Sequence, residues 1–477
     1  MNISRSVNLF LICLLTGSLL FFANIKMAVG ALKTVFYPIL YVSGHYTDNA
    51  DQSEFNKNEE YYTTYGTALS LRFIQENSTV TVTYNPEYND RSSIDDEENS
   101  LEHNASLQAH VQASRRVVMD MSFNYDGHDR DVLNESWEHT GRFSTTLYIT
   151  DKTSVVMGGT YADAYERRQL TGEYREHTDY GGSVNVVHRF SQNNQIGLYL
   201  NYSNVDYEPP VLDDYQEYSA ASSLGYWFSN QWGMDSTVEY ETTQYDFQDS
   251  DVDTWTANLR LLRRLSPRFL SYIKYEHIYS QRELNDVNMY IPSMGVEWDV
   301  SEDMGVSLGA GYIFQEWGTE NDGRFFADVN VFKGVDLSRH ARILFTAASG
   351  IDPTSDDSAE LGFQIYYQAG FLFTWQMQQH LAATLRGAYV RDEFIEPVVD
   401  RIDTSWQGGA GLTWSPWAWG DIVFSYGYEN FTTDSSLRDD FQEHRGTVTI
   451  QVHPTYEMGG QREDLTRNEL QQRIYND

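Results

Sequence analysis

Polar side chains occupy every second position along several stretches of this chain. Between residues 101 and 112, for example, glutamate, asparagine, serine, glutamine and histidine fill all of the even positions. Carboxylates, amides, hydroxyls and imidazoles bind water-soluble ligands through ion pairs and hydrogen bonds. The chemistry that this pattern offers is the recognition and passage of a polar solute.

The polar sides of these stretches carry charges of both signs and a few aromatic rings. We predict that they line the lumen of a barrel, and the predicted lining residues are Arg72, Glu102, Asp120, Arg142, Tyr148, Arg189, Trp227, Glu239, Glu241, Arg260, Tyr272, Lys274, Glu276, Glu297, Arg342 and Arg386. The simplest interpretation is a water-filled lumen lined by hydrated ion pairs. In a second interpretation, Tyr148, Trp227 and Tyr272 stack on the rings of a sugar polymer, while charges and amides bond its hydroxyls.

No catalytic motif accompanies these residues. The sequence contains no H-E-x-x-H or P-loop pattern. Its only cysteine, Cys13, lies in the N-terminal apolar run, so the mature chain has no thiol for a disulfide, a thiolate metal site or covalent haem attachment. We therefore predict a protein that is not an enzyme and holds no metal or cofactor.

The same alternation identifies the elements that position these residues. Side chains of a β-strand point to opposite faces with a period of two. Clear alternation begins at Tyr61, Leu101, Val117, Arg142 and Trp255. In each stretch one side is apolar and would meet lipid, whereas the other is polar and would face water. The register changes only at turns.

Short polar turns recur about every 38 residues from Phe73 to Trp419, at 75–78, 114–116, 150–153, 192–194, 229–231, 266–268, 301–303, 338–340, 376–379 and 415–416. Ten turns separate eleven hairpins, which predicts an all-β, transmembrane, antiparallel up-and-down barrel of about 22 strands with short periplasmic turns. Counts of 20 or 18 strands remain open, for instance if the segment Asn321–Gly350 adds no hairpin of its own. The alternative fold is a soluble sandwich or solenoid. The 34 Tyr, 24 Phe and 11 Trp residues, which cluster near strand ends, favour the membrane barrel.

Acidic residues outnumber basic ones by 69 to 33, which excludes nucleic acid as an expected partner. They concentrate opposite the short turns, in segments 48–60, 87–102, 126–138, 206–217, 246–253, 352–360, 392–403 and 434–443. We predict that these segments are extracellular loops. Divalent cations would bridge them to the phosphates of lipopolysaccharide among the outer-membrane lipids, or the loops form a merely solvated rim.

The two ends of the chain differ from the repeated part. Arg5, the apolar run Val7–Ala23 and the small residues Ala28-Val29-Gly30 have the layout of a signal peptide at residues 1–30, with a retained anchor helix as the alternative. The barrel is expected over residues 31–456, in the outer membrane of a Gram-negative cell. A polar tail at 457–477 would extend into the periplasm, either frayed or as a docking element for a partner.

The start of the barrel carries a family resemblance. Phe36 to Val42, Tyr46 to Asn49 and Tyr61 to Leu71 together resemble the opening of the outer-membrane β-barrel porins associated with exopolysaccharide and exosortase gene clusters. This chain lacks the Pro-Gly pair that is common in those porins before the second strand. The resemblance implies export of a surface polysaccharide together with a periplasmic export protein, and it carries over no functional residue.

Three functions therefore remain open. The first is a channel for exopolysaccharide export, the second is a general or solute-selective diffusion porin, and the third is a structural barrel around an electron-transfer cytochrome. Known barrels of 22 strands are plugged, yet the first hairpin is expected to begin at Val35, with no plug domain before it. The lumen would then be open, filled by a partner, or narrower than this count predicts.

Overall fold

The computed structural model describes residues 33–50, 52, 57–91, 99–129, 135–167, 174–208, 214–246, 251–281, 286–317, 320–352, 363–395, 401–434 and 440–453. The predicted signal peptide and C-terminal tail lie outside these residues, as do parts of every predicted acidic loop. No helix in the described part of the chain is long and apolar enough to cross a membrane.

Twenty-two strands account for most of the described residues. They are β1 (Lys33–Thr47), β2 (Glu60–Gln75), β3 (Ser78–Asp90), β4 (Ser100–Ser114), β5 (Val117–Asp129), β6 (Glu135–Thr150), β7 (Thr153–Arg167), β8 (Tyr174–Arg189), β9 (Gln195–Glu208), β10 (Tyr215–Trp227), β11 (Trp232–Tyr245), β12 (Val252–Ser266), β13 (Phe269–Gln281), β14 (Val287–Ser301), β15 (Met304–Trp317), β16 (Glu320–Ser338), β17 (Ala341–Asp352), β18 (Phe363–Gln378), β19 (Leu381–Ile395), β20 (Arg401–Trp417), β21 (Gly420–Thr433) and β22 (Phe441–Val452).

Each strand pairs antiparallel with the next one along the chain, and the last strand pairs with the first. At this seam Leu40–Thr47 of β1 lies beside Arg445–Val452 of β22. Pairing the two ends removes the open edges of the sheet. The structure thus confirms an up-and-down barrel of 22 strands, and the doubtful segment Asn321–Gly350 supplies parts of β16 and β17.

Eight of the ten short turns lie where the sequence predicts them, but the last two lie further along the chain. The ninth is at Gln379–His380, and the tenth is at Ala418–Trp419 rather than at Ser415-Pro416. Pro416 lies inside β20, where the register shifts between Trp414 and Trp417. A bulge accommodates a proline because its missing N–H leaves a gap in the ladder.

The register separates the barrel wall into two faces, because residues directly opposite each other in an antiparallel pair lie on the same face. One face exposes large apolar side chains such as Phe143, Ile273 and Met294, which are 58%, 63% and 65% exposed. Such a surface suits contact with lipid. The other face, which we call the polar face, carries the hydroxylated and charged side chains described below.

Side chains on the polar face converge. Arg260 of β12 reaches over β13 to bond Glu297 of β14, and Tyr41 of β1 reaches over β2 to donate a hydrogen bond to Glu87 of β3. Contacts that skip a strand are favoured on the concave side of a curved sheet, where neighbouring side chains point toward one another.

The barrel wall is irregular where β17 separates from β16. Pairing of these strands ends at Val329 and Ser349, although β16 begins nine residues earlier, and the Ser349 hydroxyl donates to the Ala327 carbonyl at 2.6 Å. β17 nevertheless remains paired with β18 as far as Asp352 and Gln364. Residues 350–352 and 363–367, here called the β17–β18 tip, are therefore free of β16, while residues 363–367 remain paired with β19 on their other side.

The tip covers part of the polar face. Ile278, Val287, Met289, Ile291 and Ile313 lie on the polar face of β13 to β15 and are no more than 4% exposed. They form one cluster with Ile365, and Ile351 and Tyr367 pack against it. By register these three tip residues lie on the apolar face of their strands. Opposite faces of a sheet meet in this way only if the tip folds inward over β13 to β16.

Candidate functional site

The register places all sixteen predicted lining residues on the polar face. Arg72 of β2, for example, is in line with Gln108 of β4 and Arg142 of β6 through directly opposed residues of the strands between them. Because side chains alternate along a strand between its bulges, one position fixes the face of the residues around it. The contacts that these residues make differ from one part of the wall to another.

Arg260 is the centre of the densest ion-pair cluster. Its guanidinium lies 2.5 Å from Glu297 and 3.1 Å from Asp235, two carboxylates held by different strands. It also lies over the Tyr272 ring, 5.2 Å from the centroid, and Tyr272 is buried. Asp235 was not among the predicted residues, and its position directly opposite Arg260 becomes visible only when β11 and β12 are paired.

Four more of the predicted residues form local ion pairs. Lys274 lies 2.7 Å from Glu276 on the same strand, and Arg342 lies 2.6 Å from Asp303 in the neighbouring turn. Glu102 lies 3.1 Å from the His128 ring nitrogen. It also accepts a hydrogen bond of 2.7 Å from the Asn89 side-chain amide. The contacts of Arg342 and Glu102 tie different strands together on the water-facing side.

The predicted aromatic residues do not form one continuous row. Tyr148, Trp227 and Tyr272 lie on β6, β10 and β13, each close to a short turn. Tyr148 is exposed, whereas Tyr272 is buried beneath Arg260. The Trp227 ring lies under the Arg264 guanidinium, 3.9 Å from its centroid. Of the three rings, Tyr148 is the one left exposed for stacking on a ligand.

Four more of the predicted residues lie opposite uncharged residues of a neighbouring strand. Glu239 and Glu241 lie opposite Ala221 and Ser219 of β10, where small side chains leave room around the carboxylates. Arg386 is directly opposite Gly409, and Arg189 is opposite Gln195 beside a short turn.

A broad concavity forms where β2 to β9 curve around Arg72, Asp120 and Arg142. We call it the cradle, and its lining residues on the polar face are Arg72, Thr79, Thr81, Gln108, His110, Asp120, Ser122, Arg142, Ser144, Gly158, Thr160, Ser183 and Asn201. Ala109, Met121, Phe143, Gly159 and Gly182 also border it, although by register they belong to the apolar face. Its side chains are mainly hydroxyls, amides and guanidinium groups. It therefore brings together three of the predicted residues with a set of serines and threonines that the sequence prediction did not single out.

Residues at the seam form a second network that was not predicted from the sequence. The Thr47 hydroxyl donates to Glu443 at 2.7 Å, and the Arg445 guanidinium lies 2.6 Å from the same carboxylate. Ser43 and Thr449 share a hydrogen bond of 2.8 Å. Thr47 and Glu443, like Ser43 and Thr449, are separated by about 400 positions in the sequence. Only closure of the barrel reveals that they meet.

Solved structures of siderophore receptors have a similar architecture. The ferric-catecholate import receptor Fiu of E. coli has a TM-score of 0.59 at 8% identity, covering 88% of this chain and 81% of that one. A mutant of the ferric enterobactin receptor PfeA from Pseudomonas aeruginosa, in complex with enterobactin, has a TM-score of 0.57 at 8% identity, with coverages of 88% and 81%. The siderophore receptor PirA from Acinetobacter baumannii has a TM-score of 0.56 at 8% identity, with coverages of 89% and 81%.

The likeness is one of fold. At this identity it carries over neither a ligand nor a binding residue. No protein-family model matches the sequence, and no curated protein matches it. The shared barrel fold supports an outer-membrane location for this chain.

Proposed function

We propose that this chain is an outer-membrane conduit whose polar face lines an aqueous lumen and through which a surface polysaccharide leaves the cell. The observation that carries the proposal is a closed wall of 22 strands with one face apolar and the other polar. In a membrane barrel the apolar face meets lipid and the polar face encloses water. All sixteen predicted residues then face the lumen.

The polysaccharide as passenger is supported by two features. The first is the resemblance of residues 36–71 to porins of exopolysaccharide gene clusters. The second is the cradle, where hydroxyls and amides outnumber apolar side chains. Such groups both donate and accept hydrogen bonds, as the hydroxyls of a sugar chain do. A periplasmic export protein would deliver the polymer to the short-turn end of the barrel.

The β17–β18 tip favours this dedicated conduit over the runner-up, a diffusion porin. A general porin needs a permanently open lumen, whereas the tip folds over the polar face of β13 to β16 and buries an apolar cluster there. Apolar burial of this kind stabilises the inward position of the tip. Passage of a wide polymer would then require the tip to move.

Planar-bilayer recordings of the purified barrel test whether it conducts and whether the tip restricts conduction. We expect small unitary currents from the wild type and larger ones from Ile365→Asp, because a carboxylate cannot remain in the apolar cluster. Ile365→Val, which keeps the cluster apolar, is the matched control and should resemble the wild type.

The possible results separate the candidate functions. Large, steady currents from the wild type would instead establish a diffusion porin, and silence of both the wild type and Ile365→Asp would remove the channel proposal. In cells, deletion of the gene should abolish surface polysaccharide and leave polymer in the periplasm. Normal surface polysaccharide in the deletion strain would exclude the export role.

A further inference from the structure

The cradle combines two guanidinium groups with little negative charge. Arg72 and Arg142 both line it, and Asp120 is the one carboxylate among its lining residues. That carboxylate lies 2.6 Å from the His110 ring nitrogen, which is itself part of the lining. Among the described residues, no carboxylate lies within ion-pair distance of Arg142, so its donors are available to a ligand.

Neutral polar groups surround these arginines. Thr81, Gln108, Ser122 and Thr160 connect Arg72 to Arg142 and the next strand along one row of directly opposed residues. Each of them both donates and accepts hydrogen bonds. The row therefore presents a guanidinium group near each end, with amide and hydroxyl groups between the two.

The residue that follows Thr160 in this row is a glycine, which has no side chain. Gly181 is directly opposite Thr160, and a Cβ built on it would lie 2.9 Å from the Thr160 hydroxyl and 2.7 Å from the Tyr202 carbonyl oxygen. Glycine thus avoids a close contact at this position beside the cradle. On β9, Tyr199 lies on the same face, two positions from the lining residue Asn201, and is 37% exposed.

We infer that the cradle is a binding site for a carboxylated saccharide, with Arg142 as the residue that holds the sugar carboxylate. The planar guanidinium donates two parallel hydrogen bonds to a carboxylate. The hydroxyl and amide row matches the sugar hydroxyls, and the exposed Tyr199 ring offers a stacking surface beside it. This inference deepens the proposed function, on which it rests, by naming an acidic polysaccharide as the passenger.

Isothermal titration calorimetry of the full-length barrel in detergent tests the site directly. The probes are a hexamer of galacturonic acid and a neutral malto-oligosaccharide of the same length. We expect the wild type to bind the uronate and not the neutral sugar, and binding should weaken as salt screens the charges. Arg142→Gln should weaken it about tenfold or more, because glutamine cannot form the charge-assisted pair of hydrogen bonds to the carboxylate.

Two further variants make the result specific. Arg142→Lys keeps the charge but loses the bidentate geometry, so it should bind with intermediate affinity. Arg189→Gln removes one positive charge from the same face outside the cradle, and it should bind like the wild type. Heat-modifiable migration on gels confirms that each variant is folded before it is titrated.

The inference is overturned if the neutral sugar binds equally well, if Arg142→Gln binds like the wild type, or if Arg189→Gln weakens binding as much as Arg142→Gln. These failures differ from failure of the proposed function. A barrel that conducts but does not bind the uronate removes only the acidic-sugar site, whereas a barrel that neither conducts nor supports export removes the conduit.

Discussion

Two parts of the same polar face differ in the kind of side chain that they carry and in whether those side chains are covered. In the cradle, hydroxyls and guanidinium groups remain exposed to the lumen. In the wall from β13 to β15, the equivalent positions carry Ile278, Met289 and Ile313, which are almost fully buried. Apolar side chains on a face that meets water require a cover, and the β17–β18 tip supplies it. An apolar residue at a lumen-facing position thus indicates where a barrel folds inward.

The largest expected effect is at the centre of this cluster. Met289 is 0% exposed, so Met289→Ala removes buried volume and should lower the free energy that holds the tip inward by about 2 to 5 kcal/mol. Hydrogen exchange of the amides of residues 363–367, followed by mass spectrometry, measures this opening. Exchange should accelerate there and remain unchanged at β4 and β5.

The matched control is Met294→Ala on the same strand. Met294 lies on the apolar face and is 65% exposed, so its truncation creates no comparable cavity within the protein. Equal acceleration in the two variants would mean that the cluster does not fasten the tip.

The sequence predicts the fold better than it predicts the contacts. Period-two alternation and regular turns are local signals, and they were sufficient for the strand number and for eight of the ten turn positions. Pro416 misled the prediction of the last turn, because a proline suits a bulge as well as a turn. Met289 alternates like any strand residue, so nothing local shows that another hairpin covers it.

The binding site was predictable only in part. Alternation identified Arg72 and Arg142 as residues of one face, and the register then aligned them across β2 to β6. The hydrogen bond between Thr47 and Glu443 depends on which strand pairs with β1. Which strands close the barrel cannot be predicted from a local sequence pattern.

Two adjacent glycines beside the cradle, Gly181 and Gly182, provide the next sharpest comparison. Gly181→Ala places a methyl group 2.7 Å from the Tyr202 carbonyl oxygen, so we expect a destabilisation of about 1 to 3 kcal/mol. Its neighbour Gly182 has only one atom within 4 Å of an added Cβ, at 3.7 Å, and Gly182→Ala should be nearly neutral. Thermal unfolding of the two variants, followed on gels, measures the difference. Equal midpoints would show that the close approach is not retained in solution.

A smaller effect is expected from the ion-pair cluster around Arg260. Arg260→Gln leaves Asp235 and Glu297 without their shared cation and should destabilise the barrel by about 1 to 2 kcal/mol, because these side chains are only partly buried. Arg260→Lys retains the charge and should recover part of that loss. The midpoint of urea unfolding in detergent provides the measurement, and equal midpoints for Arg260→Gln and wild type would show that water already screens the cluster.

The smallest effect should come from the point where β17 separates from β16. The Ser349 hydroxyl donates to the Ala327 carbonyl just beyond the last paired residues of β16 and β17. Ser349→Ala removes this one hydrogen bond, which contributes about 0.5 to 1.5 kcal/mol, and it leaves the apolar cluster intact. We therefore expect slightly faster hydrogen exchange at residues 350–352 and no acceleration at Met289. If Ser349→Ala instead released the whole tip, the inward fold would depend on this junction rather than on apolar burial.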